Sequence, residues 1–344
     1  MTPQKGIRVA LIGTETFRGK EMKNVLENKC SPFTSVDFFD PDVEAEYSKL
    51  TEFRGEPRVV LPVNPAMIAG SDVVFLASDE KTGREIGNAA AKHKFLAIDL
   101  NMTFNANAKV PVIVAGVNHK EVLEKRPSLV ANPHPVTIVL VHFLNVLLRK
   151  FELLKVVAFV LQPVSAFSDP GIEELADQSF AVLSSASVTK NFFKDQIAFN
   201  LLSDPVPVDK QGFSPAEKQI LSETRRVCGT KDLPLSLAIA QVPVFHTYAV
   251  MIHLELDGQA GIAEIADLFK KSAYFQVPPS SASGSVSSLK VAGKEEIFVG
   301  RIKKEATVPD KFWIWTVTDN LTRGSVLNAF EILENFDPDP LRKK

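Results

Sequence analysis

Cysteine, tryptophan and tyrosine are scarce in this 344-residue chain, with two, two and three residues. Two cysteines, Cys30 and Cys228, make a disulfide framework an unsuitable reading and fit a reducing cytoplasm. There is no long basic run, and 39 basic residues stand against 41 acidic ones, so the positive footprint that nucleic-acid binding needs is missing. Long hydrophobic runs are missing as well. Near the amino terminus, Lys5 and Arg8 precede only Val9-Ala10-Leu11-Ile12, too short for a signal-peptide core. The most apolar longer stretch, 136–148, carries His142 and Asn145 and falls short of a membrane span. Histidines are not spaced for a metal. His134 and His142 would lie about 12 Å apart along a helix, and His246 and His253 would face opposite ways in one strand. Together these absences predict a soluble cytoplasmic protein with no membrane, nucleic-acid or metal partner.

What is present is apolar sequence arranged in short, regular pieces. Hydrophobic residues make up 45% of the chain, enough for one large or two ordinary cores. Strands are predicted at 7–12 (IRVALI), 35–40, 72–78 and 95–100, alternating with helices at 19–29 and 81–93. Strands apolar on both faces, alternating with helices, predict a doubly wound parallel sheet of the Rossmann type, hence an α/β fold. A helix follows at 136–150, and then the pattern changes. Strand-like runs at 154–162, 237–245 and 249–256 surround helical runs at 171–185, 215–228 and 261–271, which predicts an α+β region with an open sheet. The Pro/Ser-rich stretch 278–288 reads as a surface loop.

The turn after the first strand, GTETFRG, offers a nucleotide site. Gly13 fits the tight turn and Gly19 the close helix packing of a dinucleotide fingerprint. Thr16 stands where a glycine is expected, and its Cβ would crowd a phosphate; Arg18 supplies a compensating charge. Asp40 closes the second strand, placed to accept from a ribose hydroxyl and so to favour NAD over NADP. The alternative is a parallel-sheet turn that binds nothing, with Asp40 an ordinary strand-end residue.

Eight blocks in register, GTETFRG, VAGVN (114–118), ANPHPVT (131–137), LQPVSAFSDPGIEEL (161–175), IAFN (197–200), QVPVF (241–245), VGRIKK (299–304) and TDNLTRGSVLNA (318–329), resemble the aspartate-β-semialdehyde dehydrogenase family. That resemblance implies a homodimer in which each chain has a Rossmann-type dinucleotide-binding domain and an α+β dimerisation domain. Here these would be 1–130, joined by a C-terminal helix at about 322–340, and 131–321. It also implies reduction of aspartyl phosphate with NADPH through a cysteine thioester.

Residue by residue, the chemistry departs from the family. The nucleophile block, similar to Asn-Pro-Asn-Cys-x-Thr, reads Asn132-Pro133-His134-Pro135-Val136-Thr137 here, so the cysteine position is Pro135. A prolyl ring offers no nucleophile and no backbone N–H. Tyr248 falls at the acid–base histidine and Gln241 at the arginine that clamps the substrate carboxylate. His246 lies two residues early; in a strand it would share a face with Tyr248, about 6 to 7 Å away. Ala216 and Gln219 replace the substrate-binding Glu and Lys, and Glu217 and Lys218 lie one helical step off that face. Asn105 stands at the phosphate-binding arginine, while Asn132, Gln162 and Gly324, the turn bordering the cofactor, are retained. The pattern is similar to the Usg-like sister branch, which also lacks the cysteine and arginine.

Substitute nucleophiles are poor. Cys228 sits at a helix C-terminus, where the dipole opposes a thiolate, and Cys30 reads as structural. Ser165, Ser168 and Asp169 have no histidine tied to them, and His134 reads as a capping or packing residue. Two expectations remain. One is a non-catalytic homodimeric scaffold or regulator with weak NAD or NADP binding, whose partner is a related active dehydrogenase subunit. The other is an NAD(P)-dependent oxidoreductase acting on an aldehyde or semialdehyde without a thioester, with Tyr248 or His246 as proton donor.

Overall fold

The computed structural model describes residues 6–29, 33–44, 49–203, 205–279, 285–308 and 310–338. They fall into two compact units, one running to His134 and resuming at Ser325, the other Pro135–Gly324.

The first unit is built on seven strands. In chain order it runs β1 (Ile7–Ile12), α1 (Phe17–Asn28), β2 (Phe33–Asp40), β3 (Lys49–Phe53), β4 (Glu56–Pro62), α2 (Pro65–Ile68), β5 (Val73–Leu76), α3 (Glu80–His93), β6 (Leu96–Asp99), α4 (His119–Glu124) and β7 (Leu129–Ala131). The sheet order is β3-β4-β2-β1-β5-β6-β7. Every neighbouring pair is parallel except β3 with β4. Without β3, the six parallel strands have the doubly wound order, which reverses between β1 and β5. Both faces of β5 and β6 are buried, as their unbroken apolar sequence predicts. The β3–β4 hairpin was not expected. Its two-residue turn is Arg54-Gly55, at φ 56° and 74°, the left-handed pair that a tight hairpin requires. A final helix, Leu327–Glu334, closes the core with Leu327, Ala329, Phe330, Ile332 and Leu333. It is shorter than the expected 322–340. Thr322–Val326 is a π-helical turn, and 335–338 leave the helix.

The second unit contains α5 (Pro135–Leu147), β8 (Glu152–Gln162), α6 (Ser168–Leu183), α7 (Pro215–Cys228), β9 (Leu235–Gln241), β10 (Tyr248–Asp257), α8 (Ile262–Lys270), β11 (Phe275–Gln276), α9 (Ser288–Val291), β12 (Ile297–Lys304) and β13 (Lys311–Thr318). Its mixed sheet has the order β11-β12-β13-β10-β8-β9. Val156, Ala158, Val160, Val250, Ile252, Leu254, Phe312 and Ile314 line the inner face, packed with α5, α7 and α8. The opposite face is less covered. Met251 registers with Phe159 and Trp315, and Phe159 is 45% exposed. β12 and β13 were not anticipated from the sequence. The expected strand 237–245 proves to be β9, which stops at Gln241; 242–247 are irregular, and Pro243 has no N–H for a ladder. Of the expected loop 278–288, residues 280–284 lie outside the described residues, while 288 begins α9. Among the described residues, no helix is long and apolar enough to cross a membrane, and no group of three metal-ligating side chains is assembled.

Candidate active site

At the end of β1 the chain turns through Gly13, at φ 90°, where a Cβ would lie 2.7 Å from the Ala77 carbonyl carbon. A Cβ on Gly19 would lie 1.8 Å from the Gly13 oxygen, so α1 packs directly on the turn. Thr16 caps α1. Its hydroxyl accepts from the Gly19 N–H at 3.0 Å and lies 2.9 Å from the Gly13 and Ala77 carbonyl oxygens. The Thr16 hydroxyl is thus spent on the cap, with its Cβ still at the middle position of the turn. The start of α1 therefore lies at this turn, and a helix N-terminus favours an anion. Gly13 and Gly19 have the close main-chain packing of a dinucleotide-binding turn. Arg18 donates to Asn101 Oδ1 at 3.2 Å, beyond the end of β6.

Asp40 is 3% exposed and its carboxylate is engaged. Oδ1 accepts from the Thr14 N–H at 2.7 Å, and Oδ2 accepts from the Thr14 hydroxyl and meets Lys49 Nζ at 3.0 Å. Lys49 also binds Asp42. Burial disfavours its ammonium, but the hydrogen bonds to Asp40 and Asp42 outweigh that and raise its pKa. Lys49 was not singled out in the sequence; it comes from the unexpected hairpin.

Asn105 and Asn132 serve architecture. The Asn105 amide donates to the Asn132 carbonyl at 3.0 Å. Asn132 donates to the Ser325 carbonyl at 3.2 Å and accepts from Asn328 at 2.7 Å. His134, the last residue of this unit's first segment, is 6% exposed. Burial, then the charge of Arg18, pulls its pKa down to about 3, which keeps the imidazole neutral.

In the second unit Pro135 is the first residue of α5 and is buried. Gly324 lies against it. A Cβ there would meet the Pro135 Cβ at 2.9 Å and the Asp319 carbonyl at 3.0 Å. Two residues on, Thr137 donates to Glu223 Oε2 at 2.6 Å, and Gln219 donates to Oε1 at 2.8 Å. The neighbouring charges are engaged elsewhere: Glu217 accepts from the Ser214 and Ile239 N–H groups, and Lys218 pairs with Asp209.

Gln162, Gln241 and Tyr248 come together, all buried. Gln162 Nε2 donates to Gln241 Oε1 at 3.0 Å, and Gln241 Nε2 donates to the Gln162 carbonyl at 2.9 Å. The Tyr248 hydroxyl lies 3.4 Å from Gln162 Oε1. The positions that resemble a carboxylate clamp and a base thus form a neutral cluster, and Gln241 Nε2 also lies 3.2 Å from the Val242 carbonyl oxygen. His246 does not share a strand face with Tyr248, contrary to expectation. β10 begins at Tyr248, Thr247 has φ 77°, and His246 sits in the bend before it. The Asn320 side chain pins that bend, accepting from the Thr247 N–H at 2.9 Å and donating to Ser165 at 3.1 Å. The Ser165 hydroxyl is therefore paired with an amide, with no histidine as partner. Burial pushes the Cys228 thiol up to about 11, far from a reactive thiolate. Cys30 lies outside the described residues.

The fold defines the two-domain class in which a Rossmann-type nucleotide-binding sheet is coupled in sequence to a mixed-sheet domain. Residues 8–125 match "Semialdehyde dehydrogenase, NAD binding domain", and residues 144–323 match "Semialdehyde dehydrogenase, dimerisation domain". The chain belongs to the semialdehyde dehydrogenase family. It is 27% identical over 333 residues to the aspartate-semialdehyde dehydrogenase of Aquifex aeolicus, covering 96% of this chain and 97% of the relative. Among solved structures, aspartate semialdehyde dehydrogenase II of Vibrio cholerae, complexed with ASA, superposes with a TM-score of 0.87 at 22% identity, covering 96% and 97% of the two chains. The Candida albicans enzyme with NADP superposes at 0.71 with 15% identity, covering 98% and 99%.

Proposed function

We propose that this chain is a homodimeric member of the family that has abandoned thioester chemistry, belongs with the Usg-like branch, and acts as a scaffold or regulator. The observation that carries this reading is Pro135 at the head of α5. The helix start that would stabilise a thiolate instead presents a ring with neither lone pair nor N–H. The self-paired Gln162–Gln241–Tyr248 cluster supports it, since a neutral set makes a poor clamp for a substrate carboxylate. Dinucleotide binding is retained but weak, because the Asp40 carboxylate already serves Thr14 and Lys49. The less covered face of β8, β10 and β13 is the surface for self-association, or for pairing with an active subunit of the same family.

The test offers aspartyl phosphate with NADPH, and the semialdehyde with NADP and phosphate. No turnover and no acyl adduct by mass spectrometry are expected, with calorimetric NAD(P) affinity in the millimolar range. Turnover in either direction, or a trapped acyl group, would refute the reading. The buried Tyr248 hydroxyl beside Gln162 favours one alternative, direct hydride transfer with the phenol as proton donor. Oxidation of NAD(P)H by small aldehydes that is lost in Tyr248→Phe would establish that alternative instead.

A further inference from the structure

Lys49 opens β3. Its register with Val60 of β4, which in turn pairs with Phe38 of β2, places it towards the carboxyl-terminal edge of the parallel strands. That edge is where a doubly wound sheet binds its nucleotide, and a carboxylate closing the second strand is the usual acceptor for the ribose hydroxyls. Asp40 holds that position. Lys49 Nζ bridges it at 3.0 Å to Asp42, also at 3.0 Å, and the two carboxylates differ: the Asp40 side chain is 4% exposed and that of Asp42 68%. The ammonium therefore lies on the solvent side of Asp40. The other contacts of the carboxylate come from Thr14, whose N–H and hydroxyl both donate to it. Asp40 Oδ2 thus has both acceptor directions filled, one by Thr14 and one by Lys49.

This cover is held in place from two sides. Phe53 packs edge-on against Phe38 of β2, with ring centroids 5.3 Å apart. Lys23 of α1 donates to the Thr51 hydroxyl at 2.7 Å, and Glu27 of α1 accepts from the Arg54 N–H at 2.9 Å. The β3–β4 hairpin is therefore tied both to the strand that ends in Asp40 and to the helix that starts at the nucleotide turn. Burial disfavours the Lys49 charge, but the bonds to Asp40 and Asp42 raise its pKa, so it stays an ammonium at neutral pH.

We infer that Lys49 sets the dinucleotide preference of this chain: its ammonium occupies the carboxylate that would otherwise accept from the ribose of NAD, and NAD thereby loses its advantage over NADP. This rests on the dinucleotide binding proposed above, and the ligand class comes from the match of residues 8–125 to a semialdehyde dehydrogenase NAD binding domain. With the ammonium gone, Asp40 is free to take a ribose hydroxyl. The 2′-phosphate of NADP has no such hydroxyl to donate and would be repelled by both aspartates.

The test is calorimetry of the full chain with NAD in one arm and NADP in the other. The parent should bind the two within about threefold of each other. Lys49→Met should tighten NAD about tenfold, the usual contribution of a hydrogen bond to a charged group, and leave NADP no tighter. Lys49→Arg keeps a cation over Asp40 and should bind like the parent. Lys49→Ser, which leaves space for a water on Asp40, makes the same measurement if Lys49→Met fails to fold. A parent that already prefers NAD about tenfold, a variant that binds NAD no tighter, or equal tightening of both dinucleotides would overturn the proposal while dinucleotide binding stands. No binding of either dinucleotide up to ~10 mM, in parent and variants alike, would overturn dinucleotide binding itself and this proposal with it.

Discussion

The nucleotide turn of the first unit and the Pro135 region of the second have kept different things. At Gly13 and Gly19 the requirement is the shape of the main chain, and it is intact: neither position leaves room for a Cβ. At Gln241, Tyr248 and Gln219, where the resemblance would put charged or titratable groups, the side chains are neutral and bonded to one another, to Gln162 or to Glu223. A turn built from glycine also serves the packing of α1 on β1, so losing it would damage the fold. A charged clamp has no such second duty, and a neutral pair can fill its space with its hydrogen bonds made. Under the proposed reading, chemistry can be lost from one unit while the other keeps its form.

Three measurements would break or sharpen this contrast. The largest effect is expected from Gly13→Val, which puts a β-branched side chain at φ 90° and against the Ala77 carbonyl. It should cost about 3 kcal/mol or more in urea unfolding and abolish NAD(P) binding. A tolerated valine would mean that the turn is no longer under structural demand. Gln241→Leu should cost about 2 kcal/mol by leaving Gln162 without its partner. NAD(P) affinity should be unchanged, and a large loss of it would show that the neutral cluster still takes part in ligand binding.

The smallest effect is a pH slope. His134 and His142 are both lowered from 6.5 to about 3, chiefly by burial, with Arg18 and Arg323 respectively adding to it. Each imidazole binds a proton more readily unfolded than folded. Stability is therefore complete above pH 6.5 and is lost as pH falls towards 3, by about 1.4 kcal/mol per pH unit for each histidine. His142 stacks on Tyr274 at 3.9 Å, and its Nε2 has no hydrogen-bond partner among the described residues. His142→Phe should keep the stack and remove about half of this slope between pH 6 and 5, checked by urea melts at each pH. An unchanged slope would mean that this imidazole titrates normally.

The central strands of the nucleotide unit were readable because burial on both faces leaves a continuous apolar run, as in 72–78 and 95–100. α7 was readable from its own ends, with Ser214 and Glu217 forming a capping box, Pro215 opening the helix and Gly229 taking the left-handed turn. The β3–β4 hairpin was harder, because Glu52, Glu56 and Arg58 lie on an exposed edge and dilute its alternation. Arg54-Gly55 was the signal available. β12 was obscured by Arg301, Lys303 and Lys304, and β13 was missed beside it.

In the candidate site, the residues at 135, 219, 241 and 248 were visible in the sequence. Their pairing was not. Gln162 meets Gln241 across 79 residues, and Lys49 reaches Asp40 only because the hairpin brings it there. Local spacing carries no information about either meeting. His246 was misplaced for the same reason: an even separation from Tyr248 means a shared face only in a continuous strand, and the left-handed Thr247 interrupts it.

The last helix, Leu327–Glu334, has a consequence for synthesis. Its Phe330, Ile332 and Leu333 finish a hydrophobic interior begun by Ile7, Val9 and Leu11, yet the 190 residues of Pro135–Gly324 are made in between. At ~5–20 residues per second, the nascent amino-terminal segment of this unit waits about 10–40 s on the ribosome before its closing piece emerges. During that wait its unfinished apolar side is available to holdase chaperones, and a ribosome that stalls before codon 327 leaves a product unable to seal itself.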